Sequence, residues 1–160
     1  ILDNVGLEQY GVLRESEFTR MADLHFILLV MATLENGGYF AQDREVEPKV
    51  SGFNDEYANK DYMIALLIKT FATIRDLDLP YDSMWFRKSN FFTLVVETAN
   101  HINNLPNDFK EKLLALEMNV MENRTNTASE FYKYYSYMYQ ATHGRTARVV
   151  RAEFFEKYCL

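Results

Sequence analysis

Apolar residues recur at three- and four-residue steps along most of the chain, and no stretch alternates strictly between tight two-residue turns, so the pattern predicts helices and no strands. Ser16 can cap a first helix whose apolar positions Phe18, Met21, Ala22, Leu28, Leu29 and Ala32 run on until Asn36-Gly37-Gly38 stops it. Its middle is apolar nearly all round, which predicts a place at the centre of a bundle. Residues 39–53 are polar and mixed in charge and hold Pro48 and Gly52. They form the longest irregular segment and the best candidate for a mobile or functional loop. A second helix is expected over 55–75, with Tyr62, Leu66, Ile68, Phe71, Ala72 and Ile74 facing inward before Leu79-Pro80 breaks it.

Asp82-Ser83 offers a cap for a short turn carrying Trp85, and Ser89 or Asn90 one for a helix over 91–102 with Leu94, Val95, Thr98 and Ile102 buried. Asn107 or Asp108 caps a fourth helix, where Phe109, Leu113, Leu116, Val120 and Met121 oppose Lys110, Lys112 and Glu117. A tyrosine-rich helix over 129–142 and a last one over 146–158, packing Val149, Val150, Phe154 and Phe155, complete the set. The expected architecture is all-α, an irregular bundle of about six helices in a single domain spanning 1–160.

Composition narrows the function classes. With 160 residues, 48% hydrophobic and 25% charged, the chain suits one compact core. A net charge of −6 argues against coating nucleic acid through bulk electrostatics but leaves room for a local basic patch. The longest apolar run, residues 26–32, is far too short to span a membrane, which needs about 20 residues. One cysteine, Cys159, forms no internal disulfide, and no leader is visible, so a cytoplasmic setting is expected. Residue 1 is Ile, which suggests a fragment of a longer protein.

The candidate chemistry is cationic. Trp85-Phe86-Arg87-Lys88-Ser89-Asn90-Phe91-Phe92 sets two cations where a helix should start, the end whose backbone N–H groups already carry partial positive charge. The same geometry makes an anion site, with Arg87 and Lys88 beside free N–H groups; alternatively the two pair with Asp82 or another acid. Toward the end of the chain Arg145, Arg148, Arg151 and Lys157 outnumber Glu153 and Glu156. Arg145, Arg148 and Arg151 share one broad helix face, which can grip a phosphate backbone or pair with Glu on a neighbouring helix.

Other constellations are weak. His25, His101 and His143 show no His-Glu-x-x-His element, so no metal site is expected; His25 reads as a core histidine and His101 as a residue favoured by a helix C-terminus. Asp43, Glu45 and Glu47 lie beside Arg44 without calcium-loop spacing. No nucleophile elbow, phosphate loop or dinucleotide fingerprint occurs, so neither catalytic residues nor a cofactor are expected. The tyrosines from Tyr132 to Tyr139 read first as packing residues and next as a partner surface.

On Glu17-Phe18-Thr19-Arg20-Met21-Ala22-Asp23, on the Trp85 motif continued through Thr93-Leu94, and on Thr146-Ala147-Arg148-Val149-Val150-Arg151, the chain resembles the helical C-terminal half of the ParB/sulfiredoxin-like nuclease family, which includes modification-dependent restriction systems of the GmrSD kind. The resemblance implies a helical module attached to an upstream nuclease or nucleotide-hydrolysing domain of the same protein. The family's Asp-Gly-Gln-Gln-Arg signature has no counterpart here. The chain is therefore expected to be the non-catalytic half of a defence protein, bracing its partner domain and offering Arg87, Lys88, Arg145, Arg148 and Arg151 to DNA or nucleotide phosphate. The alternative is a scaffold that forms homo-oligomers through the tyrosine-rich helix.

Overall fold

A computed structural model describes residues 5–18, 21–40, 43–52 and 57–160. It is 71% helical and all-α, with no strand among the described residues. The α-helices are α1 (Glu15–Phe18), α2 (Ala22–Asn36), α3 (Val46–Ser51), α4 (Lys60–Asp76), α5 (Lys88–Asn100), α6 (Phe109–Glu122), α7 (Glu130–Tyr139) and α8 (Arg145–Cys159). Short 3-10 turns lie at Leu7–Tyr10, Asp43–Glu45 and Met84–Phe86. No helix is long and apolar enough to cross a membrane.

The central helix is α5, not the first long one. Every residue from Asn90 to Ala99 is buried, and α8, α4 and α2 pack around it. Hydropathy hid this: of the four buried polar residues Asn90, Thr93, Glu97 and Thr98 only Thr98 is expected inside, and the other three look like a solvent face. Three of the four find partners instead. Asn90 donates to Met84 O and accepts from Tyr134, Thr93 donates to Ser89 O, and Glu97 accepts from Tyr39. Thr98 Oγ1 has none among the described residues. Meanwhile the apolar middle of α2 is only half covered: Phe26, Ile27 and Val30 are buried, whereas His25 is exposed.

Aromatic packing fixes the remaining elements around α5. The Phe91 ring lies 5.0 Å from Tyr10 and 5.7 Å from Phe26, in the offset or tilted arrangements that aromatic quadrupoles favour. Trp85 is fully buried, with Nε1–H donating to Leu113 O at 3.0 Å and Phe155 edge-on at 5.9 Å. Ser83 caps the turn that carries it by accepting from Trp85 N, as its position predicts.

Several boundaries move. The first expected helix is divided by Met21, whose φ of 57° places it in the left-handed region and separates α1 from α2; Ser16 lies within α1 and not at its cap. The segment expected to be irregular holds α3. Pro48 stands in that helix's first turn, where the missing N–H costs nothing, and Val46 packs with Ala32 and Phe40 in a small satellite core. In α4 the buried face is Met63, Leu67, Thr70, Phe71 and Ile74, leaving Tyr62 68% exposed; residues 55 and 56 lie outside the described residues. Neither Ser89 nor Asn90 caps α5, which begins earlier with Arg87 at the N-cap position in an extended conformation. Finally, α7 ends at Tyr139, three residues short of expectation, because Gln140 is extended and Ala141 is left-handed at φ 47°.

Candidate functional site

The corner between α7 and α8, the start of α5, the exposed side of α2 and helix α3 line a cavity of about 890 Å³ that is open to solvent. Among the described residues its wall carries five cations, Arg44, Arg87, Lys88, Arg148 and Arg151, plus His25 and His143, against one carboxylate, Glu47. This concentration of positive charge occurs in a chain whose overall charge is −6. Two helix starts border it. Neither α5 nor α8 has a side-chain cap or an acidic residue in its first turn.

Arg87 and Lys88 sit at the mouth and are exposed. The Arg87 guanidinium lies 4.1 Å from the centre of the Tyr139 ring, a cation–π contact that orients the fork while leaving its hydrogen-bond donors available. Lys88 Nζ reaches Glu17 Oε1 at 3.1 Å. The backbone N–H of Arg14 and the Lys88 ammonium together hold the Glu17 carboxyl below its ordinary range. Pairing with an acid is therefore realised for Lys88, through Glu17 and not Asp82. For Arg87 an aromatic ring takes the acid's place.

Arg148 and Arg151 do not form an exposed basic face with Arg145. They are 2% and 1% exposed and line the inner wall of the cavity, whereas Arg145 is exposed and outside it. The face is divided because α8 inserts one side between α5 and α7. Arg151 donates from Nε to Thr93 Oγ1 at 3.1 Å, from Nη1 to Tyr137 O at 2.8 Å and from Nη2 to Thr142 O at 3.1 Å. Tyr137 O is one of the carbonyls that the end of α7 leaves without a helical partner. Arg148 donates to Phe40 O at 3.2 Å and stacks over Phe92. Burial pulls Arg151 below the usual guanidinium range, yet such a group stays charged at neutral pH. Among the described residues no carboxylate lies within ion-pair distance of it.

Four of the five cations expected from the sequence thus meet in one cavity, and Arg145 does not. Sequence reading missed Arg44, His25 and His143, which join the cavity from the segment expected to be irregular, from α2 and from the corner before α8. Outside the cavity, Glu97, His101 and Glu156 form the one group of metal-type ligands among the described residues. The helical spacing of Glu97 and His101 was visible in the sequence, but Glu156 comes from a separate helix. The tyrosine-rich helix behaves chiefly as packing: Tyr134 is fully buried and its hydroxyl donates to Asn90. On its outer side the Tyr132, Tyr135 and Tyr139 rings follow one another at 6.5 and 5.1 Å. Comparison with known family models, curated proteins and solved structures returns no match to this chain.

Proposed function

We propose that this domain is a non-catalytic helical module that binds a phosphate-bearing ligand, a nucleotide or the phosphate of a nucleic-acid end, in the cavity between α2, α3, α5, α7 and α8. The observation that carries the reading is the gathering of Arg44, Arg87, Lys88, Arg148 and Arg151 around one cavity whose wall holds, among the described residues, a single carboxylate. Guanidinium forks match phosphate oxygens, and buried charge is strongest where water is excluded. A volume of about 890 Å³ falls within the range of small-molecule sites and is suited to a mononucleotide. Duplex DNA fits less well, because Arg148 and Arg151 lie inside, where they cannot follow a phosphate backbone. In the ParB-like nuclease reading, this module would present the phosphate of a nucleotide or a DNA strand to the upstream domain and brace it.

Calorimetric titration of the chain with ATP, GTP and pyrophosphate tests this. Each should bind saturably, Arg87→Ala and Lys88→Ala should each weaken binding about tenfold by removing one charge-assisted contact, and Arg145→Ala should leave it unchanged. Equal affinity in the Arg87 and Lys88 variants and the parent would end the proposal.

The second reading, a scaffold that self-associates through α7, rests on the Tyr132, Tyr135 and Tyr139 row and on Tyr139 being 46% exposed. Light scattering distinguishes it: a dimer lost in Tyr139→Ala and indifferent to nucleotide favours the scaffold.

A further inference from the structure

Toward the C-terminal end of α5, away from the cation cavity at its start, a small recess of about 450 Å³ is bordered by Gly37, Gly38, Glu97, His101 and Glu156. We propose that Glu97, His101 and Glu156 bind a divalent first-row transition ion of the Zn²⁺ or Mn²⁺ kind. Glu97 and His101 are one helical turn apart at the end of α5, with Oε2 of the first 3.8 Å from Nε2 of the second. Glu156 approaches from α8, and one ligand atom from each of the three side chains lies within 4.8 Å of the others. Around a tetrahedral ion, bonds of about 2.0–2.1 Å space ligand atoms about 3.4 Å apart. The Glu97–His101 pair needs to close by a few tenths of an ångström, and Glu156, being exposed, can swing inward.

An independent observation points the same way. Glu97 is 2% exposed, and among the described residues no lysine or arginine lies within ion-pair distance of it. One of its oxygens accepts from the Tyr39 hydroxyl, while the other faces His101. A buried carboxylate without a full counter-charge is costly. An ion between the Glu97 and Glu156 carboxylates supplies the missing positive charge. Tyr39 then serves as the outer partner that orients a ligating carboxylate. With three protein ligands and open space beside Gly37 and Gly38, where an added Cβ would meet nothing within 4 Å, a fourth position is left for water or a ligand. The imidazole selects a transition ion over Mg²⁺ or Ca²⁺, which favour all-oxygen sets.

The test is titration of the chelator-treated chain with Zn²⁺, and with Co²⁺ as a coloured stand-in, using Mg²⁺ for comparison. One ion per chain should bind at about 10 µM or tighter, and His101→Ala and Glu156→Gln should each weaken it at least about tenfold. The His101 variant should also change the cobalt absorption bands. His143→Ala, which alters an imidazole of the other cavity, should bind as the parent does. Circular dichroism checks that each variant is folded, and Glu156, being exposed, keeps the question answerable if His101→Ala unfolds. Absence of saturable binding below about 100 µM, or parental affinity in either ligand variant, overturns the proposal.

Discussion

Arg151 closes the end of α7 from outside that helix. A helix C-terminus carries unpaired carbonyls and about half a negative charge, so a guanidinium placed there satisfies acceptors and meets a favourable field. Its hydrogen bonds to Tyr137 O and Thr142 O explain why the chain accepts a fully buried arginine with no carboxylate beside it among the described residues. Only part of the charge is offset in this way, and the remainder contributes to the positive potential of the cavity. Arg151→Met keeps much of the volume but strands the Tyr137 and Thr142 carbonyls and leaves the Thr93 hydroxyl with only its bond to Ser89 O. Denaturant unfolding should show a loss on the order of 3 kcal/mol, the cost of buried polar groups left unsatisfied. A loss below about 1 kcal/mol would mean that water replaces the guanidinium and that α7 needs no such closure.

Among the elements, the turn Met84–Phe86 depends on α6. Glu117 accepts from Ser83 Oγ and from the Met84 N–H, both at 2.7 Å, and so fastens the turn that delivers Trp85 to the core and Arg87 to the mouth of the cavity. Glu117→Ala should cost about 2 kcal/mol, the range for hydrogen bonds to a charged group, and should weaken nucleotide binding through the displaced start of α5. Parallel chemical-denaturation and binding measurements check both effects. Sequence periodicity placed Glu117 on the solvent side with Lys110 and Lys112, since hydropathy registers a carboxylate as exposed whatever donates to it. The same blindness applied to α5, whose buried Asn90, Thr93 and Glu97 are satisfied by Met84, Arg151 and Tyr39. Where apolar spacing alone decides the matter, expectation and structure agree closely: α6 buries Phe109, Leu113, Leu116 and Val120. The cations Arg87, Lys88, Arg148 and Arg151 were legible as a group, but their convergence was not. It depends on the left-handed corner at Ala141 and on α3, neither of which leaves a periodic trace.

Across the whole molecule, charge is segregated. A chain of net charge −6 keeps five of its 17 lysines and arginines around one cavity, so long-range repulsion of anions gives way to local attraction at its mouth. Since the unfolded chain lacks this arrangement, a polyphosphate should stabilise the fold by mass action. At ten times its dissociation constant the gain is about 1.4 kcal/mol, seen as a rise in melting temperature with pyrophosphate that chloride at equal ionic strength does not reproduce. Equal shifts with both salts would indicate general screening and no site.

Helix α5 leaves little room for substitution. An ordinary amphipathic helix offers roughly half its positions to casual replacement, whereas ten consecutive residues here each press on a neighbour. Engineers seeking a place for a dye, a tag or a crosslinker in this protein should therefore leave that segment alone and turn to the outer sides of α4 and α6, where Tyr62 and Met118 already stand in water.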